Sequence, residues 1–282
     1  MFSPLLSEFS SVVVNTLRQF SNTSLTEAVL FEKIGNVLLV ALNRPQKRNA
    51  INSDVIRSLT NAFTLFKNES SLKVAVLYGK GGNFSSGLDL EELSKNPCLI
   101  EKLRKEYFIS LLENIGKPSI AAISGYAVAE GIELALLCDL RIVEETATLG
   151  FFNRRFDVPL INGATVRLPK LIGLSRAMEM IITGRQVNGR LAYDWGLANR
   201  VVSTGTALGQ ALNLARVIST MAQDSLKADR CSLYYSVFKA STAEDAMKFE
   251  FENAIRSINK SIVSNAKRFI DGIGRHGSFK MN

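Results

Sequence analysis

A chain of 282 residues, 46% of them hydrophobic, is long enough for one large core or for a core plus a small appended domain. No apolar run is long enough to span a bilayer, so no membrane partner is expected. The net charge of +8 suits either a polyanionic small ligand or a solvated basic surface; without a dense Lys/Arg stripe interleaved with aromatics, nucleic acid is not an expected partner.

Three cysteines (Cys98, Cys138 and Cys231) are widely spaced, odd in number and lack metal-ligand spacing, which reads as reduced thiols in an intracellular compartment. The single histidine, His276, sits in a Gly-containing tail, which argues against a His-based triad or metal site. No metal is expected.

Residues 1–24 form a Ser-rich leader, compatible with a mitochondrial transit peptide or with an unstructured extension. Within it Glu8 cancels Arg18, so the basic character belongs to the rest of the chain. Residues 29–34 and 37–42 read as a β-hairpin around Gly35-Asn36. A basic loop, 46–52, then leads to a helix capped by Asn52 or Ser53, with Val55, Ile56, Leu59, Ala62, Phe63 and Phe66 on one face. Residues 74–78 read as a buried parallel strand, followed by a glycine-rich turn over 79–87 and a helix from about Leu88.

An amphipathic helix is expected over about 100–114. The stretch 119–141, SIAAISGYAVAEGIELALLCDLR, reads as a strand, a turn at Gly125-Tyr126, and a helix carrying Glu130 and Glu133 on one side. A strand at about 140–143 precedes an irregular segment, 151–164. Helices over 174–183 and 189–195, a strand at 198–202, and helices from Ala207 with breaks near Asp224 and Asn259 complete the pattern. Alternating strands and helices give an α/β core over 25–205, and 206–282 a C-terminal helical region.

Each of the two strand–turn–helix units would aim unpaired backbone N–H groups at a helix start, where they can hold an anionic oxygen. Asn83–Leu90, NFSSGLDL, resembles the F-[SC]-A-G-x-D-L motif of the crotonase (enoyl-CoA hydratase/isomerase) superfamily, and Gly125–Arg141 resembles its G-x-A-x-G-G-G-x-E-L-A-L-x-C-D-x-R motif. NRPQKRNAIN at 43–52, GATVRLPKLIG at 163–173 and the segment 177–202 add further matches. The resemblance implies a spiral of ββα units with a C-terminal helical part, assembled as homotrimers or homohexamers, and an acyl-CoA thioester as substrate. It implies no cofactor beyond the coenzyme A of that substrate.

Carried over by position, the resemblance makes the backbone N–H groups of Ser86 and Glu130 the oxyanion-hole donors and Glu133 the first catalytic glutamate. Ser86 replaces the usual Ala and Glu130 the usual Gly. The second glutamate falls at Asn153, which has no titratable proton. Asp157 is then the nearest candidate acid, or else a loop acid paired with Arg154 or Arg155; Asn162 stands where some relatives carry Asp. The resemblance puts Lys47 and Arg48 at the coenzyme A adenosine and phosphates, with Ala50 another coenzyme A-binding position. It makes Ser86, Gly87, Leu88, Asp89, Leu90 and Gly131 further coenzyme A-binding positions. Asp89 also reads as a first-turn helix acid, Asp139 with Arg141 as a structural pair, and Lys267 and Arg268 as groups able to reach a neighbouring subunit's ligand. Phe151, Phe152 and Phe156 could line an acyl pocket or pack the core. Leu88 resembles the isomerase form of its motif. Hydratase or isomerase activity is the expectation; a member that binds CoA esters with little turnover, and an RNA-binding member, are the alternatives.

Overall fold

The computed structural model describes residues 27–96, 115–258, 262, 266–267 and 269–272. The leader, the helix expected over 100–114, Cys98, Arg268 and His276 lie outside the described residues. Strands β1 (Val29–Ile34), β2 (Val37–Leu42), β3 (Val74–Gly79), β4 (Ser119–Ile123), β6 (Leu140–Glu144) and β9 (Arg200–Val202) form one six-stranded sheet in the order β1-β2-β3-β4-β6-β9. Only the β1–β2 hairpin is antiparallel; its two-residue Gly35-Asn36 turn is the expected one.

The apolar runs of β2, β3 and β4 are explained by burial on both faces. Leu38, Val40 and Leu42 enter one hydrophobic cluster, while Val37, Leu39 and Ala41 enter the other, as the two-residue period of a strand requires. The first cluster is completed by helix α1 (Ser53–Asn68), whose buried stripe is the expected one and whose Asn52 side chain accepts from the Val55 N–H at 3.0 Å. The opposite face is covered by Ala207, Ala211, Leu212, Leu214 and Ala215 of α7 (Ala207–Thr220).

A second, three-stranded sheet was not legible in the sequence. It pairs β5 (Tyr126–Val128) with β7 (Thr148–Gly150) in parallel and β7 with β8 (Val187–Asn188) antiparallel. Tyr126, expected in a turn, thus begins a strand. Gly125 lets the chain change sheets: its φ is +54°, and a Cβ there would lie 2.2 Å from the Gly82 carbonyl oxygen. Helix α2 (Leu90–Lys95) follows the first turn and α3 (Glu130–Leu137) follows β5, and beyond β7 come α4 (Ala164–Ile172), α5 (Leu174–Thr183) and α6 (Gly189–Asp194).

The helical region is α7, α8 (Gln223–Phe238) and α9 (Ala243–Ser257). A break at Lys239–Thr242, absent from the sequence reading, lets α9 fold back on α8. There Tyr235 stacks on Phe249, and Asn253 donates to the Ala228 carbonyl and the Ser232 hydroxyl. Asp139 does not pair with Arg141 as expected. It takes Arg230 and the Tyr234 hydroxyl of α8, while Arg141 donates to the Cys138 and Leu197 carbonyls and so ties strand ends together. Among the described residues no helix is long and apolar enough to cross a membrane.

Candidate active site

The two glycine-containing turns are laced side by side. Phe84 N–H donates to the Ser124 carbonyl, Ser85 N–H to that of Tyr126, and Val128 N–H back to that of Ser85. The close approach demands small residues: a Cβ on Gly131 would lie 2.6 Å from the Ser85 carbonyl oxygen, and one on Gly87 (φ +95°) would lie 2.6 Å from the Ala129 Cβ. This lacing sets the end of the first turn against the start of α3.

From Phe84 to Asp89 every N–H but that of Leu88 is consumed by the scaffold around the turn. Ser86 N–H donates to the Arg48 carbonyl at 2.9 Å, Gly87 N–H to the Ser85 hydroxyl, and Asp89 N–H to the Ile51 carbonyl. The Ser86 N–H is therefore not the inward-facing donor that the motif alignment suggested. That place is taken by the Leu88 N–H, which points at the start of α3 and donates to Glu130 Oε2 at 2.8 Å.

Glu130 is buried, and its other oxygen, Oε1, accepts from Asn153 Nδ2 at 2.8 Å. Burial raises its pKa, against the opposing pull of the Leu88 N–H, its own N–H and the Asn153 amide. One turn further, Glu133 is fully buried. It is held by the Asn162 backbone N–H and Nδ2, both at 3.1 Å, and by the Ala164 N–H at 3.3 Å. Desolvation first, and the charge of Glu130 second, push the Glu133 carboxyl up to about 7 despite these donors. A carboxyl with that affinity can both take and give a proton near neutral pH.

A cavity of about 390 Å³ opens at this junction, with Arg48, Leu88, Tyr126, Glu130, Asn153 and Phe156 among its walls. Glu130 faces it, whereas Glu133 lies behind its lining. A larger cavity, about 830 Å³, lies between α8 and the ends of β4 and β6; it contains none of the expected site residues, and Asp139 and Arg230 in its wall are already paired.

The remaining expected residues divide in two. Ser86, Leu88, Leu90 and Arg48 line the cavity, as does Phe152, and Arg48 also lies over the Tyr126 ring. Asp89 is structural: it caps α2 through the Glu91 and Glu92 N–H groups and pairs with Arg44 at 2.8 Å. Lys47 is exposed and pairs with Glu91. Ala50 offers its carbonyl to Arg44, and Gly131 is small for packing. Asp157 is exposed and outside the cavity wall, so the acid expected there is not brought to the site; Arg154 instead donates to the Val158 carbonyl and Arg155 lies over the Phe152 ring. Phe151 is core, and Phe156 is 61% exposed at the rim. Lys267 is exposed on the last described turns.

Sequence reasoning missed Asn49, fully buried, which donates to the Lys80 and Asn83 carbonyls and accepts from the Arg44 N–H. An Asn in a basic loop carries no signal for such a role.

Comparison with known proteins accords with this geometry. The family model described as enoyl-CoA hydratase/isomerase matches residues 32–266. Enoyl-CoA hydratase EchA19 of Mycobacterium tuberculosis is 32% identical over 196 residues, 67% of this chain and 74% of that protein. Mevalonyl-coenzyme A hydratase sidH of Aspergillus fumigatus is 31% identical over 212 residues, covering 74% and 78%. A crystal structure of an enoyl-CoA hydratase from M. tuberculosis H37Rv superposes with a TM-score of 0.80 at 28% identity, over 87% of this chain and 96% of that one. With its laced turns, mostly parallel sheet and helical C-terminal part, the chain belongs to the enoyl-CoA hydratase/isomerase family of the crotonase superfamily.

Proposed function

We propose that the protein transfers a proton beside the carbonyl of an acyl-CoA thioester, with Glu133 as the proton carrier, and that double-bond migration is its chemistry. The observation that carries this is the buried Glu133 carboxyl, pushed up to about 7, held by three N–H donors and set just behind Glu130 of the cavity wall, so that a thioester reaches it by displacing the Glu130 side chain. In migration, one carboxylate removes the proton from C2 of a 3-enoyl thioester and the electron pair moves toward the thioester oxygen. The same carboxyl then returns the proton at C4, so a single titrating group suffices. Leu88 N–H and the N–H of Glu130 would polarise the carbonyl, and the negative charge that develops there is what such donors stabilise. Arg48 and Arg155, both on the cavity wall, would meet the phosphates of coenzyme A.

Hydration is the second reading, favoured by the hydratase names of the relatives. It ordinarily calls on a second titrating group, and position 153 supplies only an amide. No cofactor is invoked beyond the CoA moiety. Trimeric or hexameric assembly and a mitochondrial address for the leader belong to the same proposal; the mass of the native particle and the N-terminus of native material would check them.

The deciding experiment follows trans-2-enoyl-CoA and 3-enoyl-CoA with purified protein and Glu133→Gln, by thioester absorbance and product mass. Conversion of the 3-enoyl substrate without change of mass, lost in the variant, supports migration. A gain of one water in the product establishes hydration instead. If neither substrate turns over while CoA esters still bind, the member is a binding protein.

A further inference from the structure

We infer that the Glu130 carboxylate is an internal occupant of the oxyanion hole, one that an acyl thioester must displace before its carbonyl oxygen can reach the Leu88 N–H. The inference rests on the acyl-CoA reading above and goes past it, because it gives the hole a resting state in which it is filled by the protein's own anion.

From Phe84 to Asp89 the Leu88 N–H is the one donor not spent on a scaffold acceptor, and Glu130 Oε2 takes it at 2.8 Å. That oxygen stands close against the first turn, 2.9 Å from where a Cβ on Gly87 would lie. The opposite oxygen is anchored by Asn153 Nδ2 at 2.8 Å. The Leu88 N–H and the side chain at position 153 thus converge on one carboxylate. A carboxylate oxygen in this place mimics the negatively charged thioester oxygen, so the donors are correctly aimed and already engaged.

The clamp is unbalanced at one atom. Asn153 is buried and lines the cavity, yet among the described residues its Oδ1 has no hydrogen-bond partner. A buried acceptor left unsatisfied destabilises the filled state and favours its opening to water or to a ligand. Thioester binding is then an exchange of one anion-like oxygen for another, and only the part of a ligand that enters the hole feels the competition.

The test is isothermal titration of the full chain with butyryl-CoA, whose saturated acyl group cannot be hydrated or isomerised, and with free CoA, which lacks the carbonyl. Glu130→Gly removes the occupant. Asn153→Ala releases one of its anchors without touching α3, and so carries the test if the glycine variant does not fold. Loss of a charge-assisted hydrogen bond predicts that Glu130→Gly binds butyryl-CoA on the order of tenfold more tightly. Asn153→Ala should shift it in the same direction by a smaller factor, with the affinity for free CoA unchanged in both. Unchanged butyryl-CoA affinity, or an equal gain for free CoA, overturns the inference while leaving the acyl-CoA reading intact. If neither the wild-type protein nor the variants bind either ligand, the acyl-CoA reading falls, and the inference with it.

Discussion

Glu130 and Glu133 are buried together in the first turn of α3, and the charge of Glu130 raises the proton affinity of Glu133. The first carboxylate faces a cavity and the second lies behind it. Two like groups in one dry volume compete for ionisation, which keeps one of them near its protonation midpoint at neutral pH.

Stability should report this directly. The Glu133 pKa is raised from 4.5 to about 7, so the folded chain holds its proton more tightly than the unfolded chain does. Its contribution to folding therefore declines as pH rises from about 4.5 to about 7 and is level beyond that. At 1.36 kcal/mol per pKa unit the decline is on the order of 3 kcal/mol. Glu133→Gln does not titrate, so its stability relative to the wild-type protein should improve by about that amount between about pH 4 and pH 8. Denaturant unfolding across a pH series measures it; parallel curves for the two proteins would contradict the assignment.

Asn162 bonds both oxygens of Glu133, one from its N–H and one from its side chain. Removing the side-chain donor in Asn162→Ala destabilises the ionised form by about 1.5 kcal/mol, so the rising limb of kcat/KM against pH should move up by about one unit. An unmoved limb would mean that another group titrates in the rate profile.

Asp89 joins the basic loop to α2. Burial opposes its ionisation, but the Arg44 guanidinium and the Glu92 and Glu91 N–H groups outweigh burial and hold its pKa below the usual value. Its contribution is fully present above the ordinary carboxylate pKa and is lost as pH falls through the depressed folded value. Asp89→Ala removes both a helix cap and a mostly buried ion-pair partner, and should cost about 3 kcal/mol at neutral pH by chemical denaturation. A cost below about 1 kcal/mol would place the residue with ordinary surface pairs.

Asn153→Glu would set a new carboxylate against that of Glu130. Alone it should destabilise the protein by about 2–4 kcal/mol, since two buried like charges share one site. Combined with Glu130→Gly the loss should largely disappear, and the double variant should gain enoyl-CoA hydration. Melting temperatures and hydration assays of the two singles and the double form the cycle; additive effects would show that the side chains do not interact.

Much of the fold was legible because its signals are local. Two-residue alternation and apolar runs marked β2, β3 and β4, the spacing of Val55 to Phe66 marked α1, and the paired turn motifs marked the family. The second sheet escaped because β5, β7 and β8 are two or three residues long, too short to show a period, and exist only through pairing partners distant in the chain. The break that turns α9 back on α8 escaped because no Gly or Pro marks it.

Within the site, the sequence alone determined that Glu130 and Glu133 share a helix and that position 153 carries no acid, since spacing and side-chain chemistry are properties of the chain itself. Only the tertiary structure decided which N–H faces inward, because a backbone donor has no sequence signature and is identified by what its neighbours have already been spent on. Ser86 lost its N–H to Arg48, Leu88 kept its own for Glu130, and Asp157 fell outside the cavity wall; each outcome followed from contacts between segments tens of residues apart or from the path of a loop. The elevated pKa of Glu133 is likewise tertiary, since desolvation arises only when the rest of the protein closes over the carboxyl.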